Sequence, residues 1–309
     1  MTHISRASAP PIPLSAWLPW TDRAGRFVAF KLLVFALVCA PGLWMLLQWQ
    51  QDMLLAKPIT DLLRQTGDWA VRLLIATLVV TPLRFVTKWN RVVSVRRMIG
   101  LAALFYTVAH LVFYAWDEKF IWLTILSEMI LRLYLSVGTV ATLMMIALGV
   151  TSNDWGVRKL GAAGWNRLHW WMYPLTALSL LHYFMETRLD ATQPALWTGF
   201  LVLFWVFRAL RKSAIGTGVL PLSLLAIGAG VATALIEAGY YAISTGANAL
   251  AVLPANFDFS FQIRPAWWVL GGGVILVLIR AVHDYVWEPY FGKAAMQRPP
   301  QRVKSAKAG

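Results

Sequence analysis

The chain has 309 residues, of which 59% are hydrophobic and 14% charged, with 17 tryptophans and a net charge of +14. This composition, with a mean hydropathy of +0.59, excludes an ordinary soluble globular domain and marks an integral membrane protein. The charge does not call for nucleic acid, because 21 of the 28 lysines and arginines fall on alternate segments between the apolar runs, the skew that sets membrane orientation.

In chain order, residues 1–26, with Pro10, Pro11, Pro13 and Pro19, read as a flexible cytoplasmic N-terminus. Apolar runs follow at 27–49, 69–85, 98–116, 128–150, 168–185, 195–207, 218–243 and 266–286. About 20 apolar residues cross a ~30 Å hydrocarbon core as a helix, so these are eight predicted spans. The first is longer than the ~7–15 residues of a cleaved signal core and is expected to stay as an anchor. It holds Cys39, the single cysteine, which excludes an intramolecular disulfide and a cysteine-rich metal site. Inner segments collect Arg26 and Lys31, then Arg84 to Arg97, Arg158 to Arg167, Arg208 to Lys212 and the tail after Arg280. Both termini are therefore expected in the cytoplasm.

The loops are too short for a dinucleotide-binding domain, and Gly228-Ala-Gly230-Val-Ala-Thr233 lacks a third glycine and lies inside a span. A composition shift near residue 213 separates a six-helix transmembrane domain over 27–212 from two extra transmembrane helices over 213–287, with a flexible basic cytoplasmic tail over 288–309. In that pair Glu237, Arg264, His283 and Asp284 are expected near helix ends, solvated or snorkelling. Gly271 to Gly273 suit close helix packing.

Of the five histidines, His110, His169 and His182 fall inside predicted spans, where an ionisable group is costly and by default functional. At ~1.5 Å per residue, His110 lies about 20 Å above Arg96 and Arg97, and His182 lies about 20 Å above His169. His110 and His182 thus share an outer level, and two neutral imidazoles at equal depth on neighbouring helices suit axial ligation of a b-type heme. His169 is left at an inner level facing Arg96 and Arg97, and arginine does not ligate iron. That site suits either a second heme with another or missing axial ligand, or an anionic cofactor such as flavin mononucleotide (FMN) or a quinone, since guanidinium forks match phosphate. On one ideal helix, thirteen residues place His169 and His182 about 140° apart, with Pro174 between them as a kink point. The alternatives are packing histidines without a cofactor and a transporter with histidine proton relays. No Ser-His-Asp arrangement, paired acids or His-x-x-Glu-His motif provides hydrolytic machinery.

The run Gly67-Asp-Trp-Ala-Val-Arg-Leu-Leu-Ile-Ala-Thr-Leu-Val-Val-Thr-Pro-Leu-Arg84, followed by Val95 to Leu101, Ala109-His110-Leu111, Lys159-Leu-Gly161, Leu168-His169 and Leu181-His182-Tyr183, resembles the heme-binding membrane subunits of bacterial periplasmic methionine-sulfoxide reductase systems. These belong to the wider ferric-reductase-like transmembrane family. The resemblance spans about residues 55–212. It implies an all-α integral membrane protein of the bacterial inner membrane, a six-helix ferric-reductase-like heme bundle, with the two C-terminal helices as an addition. It implies an electron-transfer subunit without catalytic residues of its own, fed by a cytoplasmic flavin reductase or quinone. Electrons would cross heme b, with FMN or quinone involved, to a periplasmic molybdopterin-containing catalytic subunit that repairs oxidised proteins. His110 and His182 would ligate the outer heme iron, and His169 with Arg96 and Arg97 would serve the inner site. A stand-alone ferric-chelate or oxygen reductase of the same transmembrane family is the alternative.

Overall fold

The computed structural model describes residues 18–22, 24–187, 190–260 and 262–292. Most of the expected flexible ends, 1–17 and 293–309, lies outside the described residues. Helices α1 (Ala29–Gln50), α2 (Pro58–Thr87), α3 (Val93–Asp117), α4 (Trp122–Leu131), α5 (Leu133–Val150), α6 (Asp154–Trp170), α7 (Met172–Glu186), α8 (Thr192–Lys212), α9 (Val219–Thr245), α10 (Ala249–Val252) and α11 (Pro265–Val282) make up nearly all of it. Among the described residues the only extended pairing is an isolated bridge between Thr21 and Phe27. Seven helices, α1, α2, α3, α5, α8, α9 and α11, are long and apolar enough to cross a membrane. The chain is a multi-pass, all-helical membrane protein.

Two predicted spans are redrawn. The run at 128–150 is broken at Arg132, whose backbone is extended (φ −93°, ψ 112°) between α4 and α5. Arg132 pairs with Glu128 at 2.6 Å, and the Ser136 hydroxyl lies 3.0 Å from the carbonyls of Met129 and Ile130, which the helix end leaves without intrahelical partners. The run at 168–185 does not form one helix: α6 ends at Trp170 and α7 starts at Met172. Pro174 explains the break, because it cannot donate to the Trp170 carbonyl and its ring would clash there, whereas in the first turn of α7 its missing N–H costs nothing. The 15 residues of α7 reach only about 22 Å. Helix α6, with Arg158, Lys159 and Arg167 and a kink at Gly161 (φ 68°), is not among the apolar spans. His169 and His182 therefore sit on different helices, and the angular offset expected for a single helix does not apply.

Contacts divide the chain into two compact units, Met1–Val80 with Asn90–Glu186, and Thr81–Trp89 with Thr187–Gly309. In the first, α3 is tied to α1 by Tyr106, which reaches into the α1 backbone beside Pro41. The Gly42 N–H donates to the Tyr106 hydroxyl at 2.8 Å, and that hydroxyl donates to the Val38 carbonyl at 3.0 Å. A side chain is thus inserted where the i to i−4 ladder would otherwise close, a recognised cause of helix bending. The outward face of α1 carries Leu33, Leu37, Leu43, Trp44 and Leu46, all exposed, as lipid contact requires.

The second unit packs α8, α9 and α11 through small residues. A Cβ on Gly273 would lie 2.5 Å from the Ala226 Cβ, one on Gly199 2.6 Å from Val269, and one on Gly272 2.6 Å from Phe200. Gly271 makes no such approach, so the expected packing glycines are Gly272 and Gly273. The expectation of solvated end charges is also corrected. Glu237 is 1% exposed and accepts from Arg264 at 3.3 Å, because a carboxylate within a helix bundle needs a cationic partner. Asp284 pairs with Arg280 at 2.7 Å and lies 3.3 Å from His283.

Candidate functional site

His110 and His182 meet within the first unit, with ring centroids 6.4 Å apart and ring planes at 86°. Each ring is placed by a different helix in the same way. His110, on α3, points Nδ1 at the Leu63 carbonyl of α2 at 2.9 Å, and a Cβ on Gly67 of α2 would fall 2.9 Å from that nitrogen. His182, on α7, points Nδ1 at the Tyr134 carbonyl of α5 at 2.8 Å, and a Cβ on Gly138 of α5 would fall 3.0 Å from it. One helix turn on the neighbour thus provides both a carbonyl for the ring to bond and a glycine for the ring to lie on. The Tyr134 ring also lies nearly parallel to His182, at 17° and 6.2 Å.

This arrangement selects a tautomer. A carbonyl can only accept, so Nδ1 carries the proton in each neutral ring and Nε2 keeps its lone pair. A backbone carbonyl on the far ring nitrogen is the usual support of a metal-bound histidine. Both histidines line a cavity of about 310 Å³, walled by Leu74, Leu111, Leu135 and Met145 and bordered by Arg64 and Tyr114. The spacing fits one metal between the rings. Two imidazoles each giving a nitrogen to one metal at about 2.0 Å, with roughly 1.1 Å from nitrogen to ring centre, would have centres about 6.2 Å apart. Perpendicular ring planes are compatible with this, since each imidazole can turn about its own metal bond. Among the described residues no group of three or more His, Cys, Asp or Glu side chains could hold a metal ion, so this pair could hold one only together with a group that supplied the other ligands itself.

The inner level is built differently. His169, near the end of α6, has both ring nitrogens engaged, Nε2 with the Ser152 hydroxyl at 3.0 Å and Nδ1 with the Trp165 carbonyl at 3.1 Å. Its ring stacks on Trp165 at 3.7 Å. Burial lowers its pKa below the ordinary imidazole value, and the guanidiniums of Arg96 and Arg97 add to the effect. Positive charge at this level therefore belongs to the arginines. Both lie at the start of α3, and Arg97 bonds Asp154, the first residue of α6, at 3.2 Å. The structure thus brings His110 to His182 and places His169 within electrostatic reach of Arg96 and Arg97, as two separate groups.

Sequence reasoning missed Gly67, Gly138 and the two carbonyls. Gly138 left a signal, an isolated Gly inside an otherwise apolar run, which points to a packing role; Gly67, between Thr66 and Asp68, left none. The carbonyls left none.

Residues 66–180 match the model of the ferric reductase like transmembrane component family. Heme-binding subunits MsrQ of protein-methionine-sulfoxide reductase from Xanthomonas campestris pv. campestris (strain 8004) and Xanthomonas axonopodis pv. citri (strain 306) are each 37% identical over 192 residues, 60% of this chain and 88% of the relative. The MsrQ of Rhodospirillum rubrum is 35% identical over 199 residues, covering 63% of this chain and 93% of its own length. No solved structure matches.

Proposed function

Because the chain belongs to the MsrQ family of heme-binding subunits of protein-methionine-sulfoxide reductase, we propose that it carries electrons across the bacterial inner membrane through a heme b held by His110 and His182. The single observation that carries this reading is the pair of imidazoles 6.4 Å apart, each with Nδ1 bonded to a carbonyl and Nε2 uncommitted. When bound, heme supplies a one-electron carrier. The chain's own residues do the rest: the Leu63 and Tyr134 carbonyls hold the tautomer, and Gly67 and Gly138 leave room for the rings.

The inner group extends the route. Arg96 and Arg97 present guanidinium forks suited to the phosphate of FMN or to a quinone's developing negative charge. His169, neutral and stacked on Trp165, borders that site without offering a free nitrogen, which favours an anionic cofactor there over a second heme. Electrons would enter at this basic end from a cytoplasmic flavin reductase or a quinone, with both termini cytoplasmic. They would leave at the His110/His182 end to a periplasmic molybdopterin-containing catalytic subunit that reduces methionine sulfoxide in oxidised proteins.

Purified protein is expected to show a reducible b-type Soret band that is lost in the His110→Ala, His182→Ala double variant. A spectrum unchanged by the two substitutions would overturn the reading, and heme-free wild-type protein would favour a histidine proton relay. NADPH oxidation by the chain with no added reductase would instead support a stand-alone reductase.

A further inference from the structure

A heme brings two propionate carboxylates as well as its iron, and a carboxylate moved out of water needs a cation. The cavity wall of the first unit supplies one. Among the described residues lining it, Arg64 is the only lysine or arginine. Among the described residues it has no ion pair or hydrogen bond, although Asp68, Asp117, Glu118 and Glu186 line the same cavity: Asp68, one turn further along α2, pairs instead with Arg72 at 3.8 Å, and Asp117 accepts from Thr60 at 3.0 Å. Arg64 also follows Leu63, whose carbonyl bonds His110, and precedes Gly67, on which the His110 ring rests. The same turn of α2 that bonds and supports the His110 ring therefore also carries Arg64, an exposed residue that lines the same cavity.

We propose that Arg64 anchors a heme propionate, its guanidinium fork pairing with the carboxylate by charge-assisted hydrogen bonds. This inference rests on the heme reading of the His110/His182 pair. It makes the stretch from Leu63 to Gly67 a single recognition turn. The Leu63 carbonyl orients the iron ligand, Arg64 neutralises the porphyrin's acid edge, and Gly67 leaves clearance between them.

The test is a double-mutant cycle in which one partner is the cofactor. Full-length apoprotein in detergent is titrated with protoheme and with protoheme dimethyl ester, whose carboxylates carry no charge, in wild type, Arg64→Gln and Arg64→Lys. Wild type is expected to prefer protoheme over the ester by about tenfold more than Arg64→Gln does, in line with the strength of hydrogen bonds to charged groups, and Arg64→Lys should fall between them. In the same samples the heme reduction potential should drop in Arg64→Gln, since losing a cation disfavours the added electron. Equal protoheme-to-ester preference in wild type and Arg64→Gln, with both porphyrins bound and a bis-histidine spectrum intact, would overturn the anchor and leave the electron-transfer reading standing. Wild-type protein that binds neither porphyrin would overturn both.

Discussion

Alanine at position 67 separates a glycine needed for clearance from a glycine that is merely tolerated. The new Cβ would lie 2.9 Å from His110 Nδ1 and 3.0 Å from Cε1, whereas carbon contacts settle at about 3.5–4.0 Å. The ring must retreat by roughly 0.5–1 Å, yet its Nδ1 is bonded at 2.9 Å to Leu63, one turn away on the same helix. Retreat by that amount takes the bond past the ~3.2 Å limit of a good N–H···O hydrogen bond. Overpacking costs about 1–3 kcal/mol and the lost bond about 0.5–1.5, while alanine's helix propensity returns about 0.8–1. The net effect is about 1–3 kcal/mol, or roughly 5- to 150-fold in heme affinity. The assay is heme occupancy and the reduced-minus-oxidised spectrum of Gly67→Ala and of Gly138→Ala, whose Cβ would meet His182 at 3.0 Å. Gly228→Ala, with nothing within 4 Å of its Cβ, serves as control. Full occupancy and an unshifted spectrum in Gly67→Ala would refute the clearance argument.

Three other outcomes are expected. Tyr106→Phe removes the hydroxyl that serves Gly42 and Val38 and should cost about 1–2 kcal/mol; an unchanged unfolding midpoint in a denaturant titration would show that the α1 ladder closes without it. Arg264→Met leaves the Glu237 carboxylate buried and unpaired, a loss of about 3–5 kcal/mol, and adding Glu237→Gln should recover most of it. A single variant as stable as wild type would contradict the pairing. Gly273→Ala forces a Cβ to 2.5 Å from the Ala226 Cβ and 2.8 Å from its Cα, so thermal stability should fall, while Gly271→Ala, which meets nothing, should be neutral or stabilising; equal effects at the two positions would rule out close α9–α11 packing there.

Much of the site was legible along the chain. Equal depth for His110 and His182 was expected from helical rise along continuous spans; the span from His169 to His182 is broken at Trp171, yet the two rings meet 6.4 Å apart. His169 was likewise expected beside Arg96 and Arg97, and it lies within their electrostatic reach. What failed was continuity: one apolar run became α4 and α5, and another became α6 and α7, because hydropathy is blind to where a proline or an ion pair interrupts the hydrogen-bond ladder. Pro174 was recognised as a kink point, but a kink and a full break at Trp171 have the same sequence signature. Glu237 looked like an end charge because its partner Arg264 is 27 residues away.

A multi-pass helical membrane protein could be read from the chain alone, since apolar length is a local property of a helix. It took the helix packing to place a carbonyl against each imidazole and a glycine under it, to put Arg64 in the lining of the same cavity, and to set His169 apart with both nitrogens taken. Those facts depend on how each helix is turned and which helix stands beside it, and no periodicity within a single run encodes the neighbour.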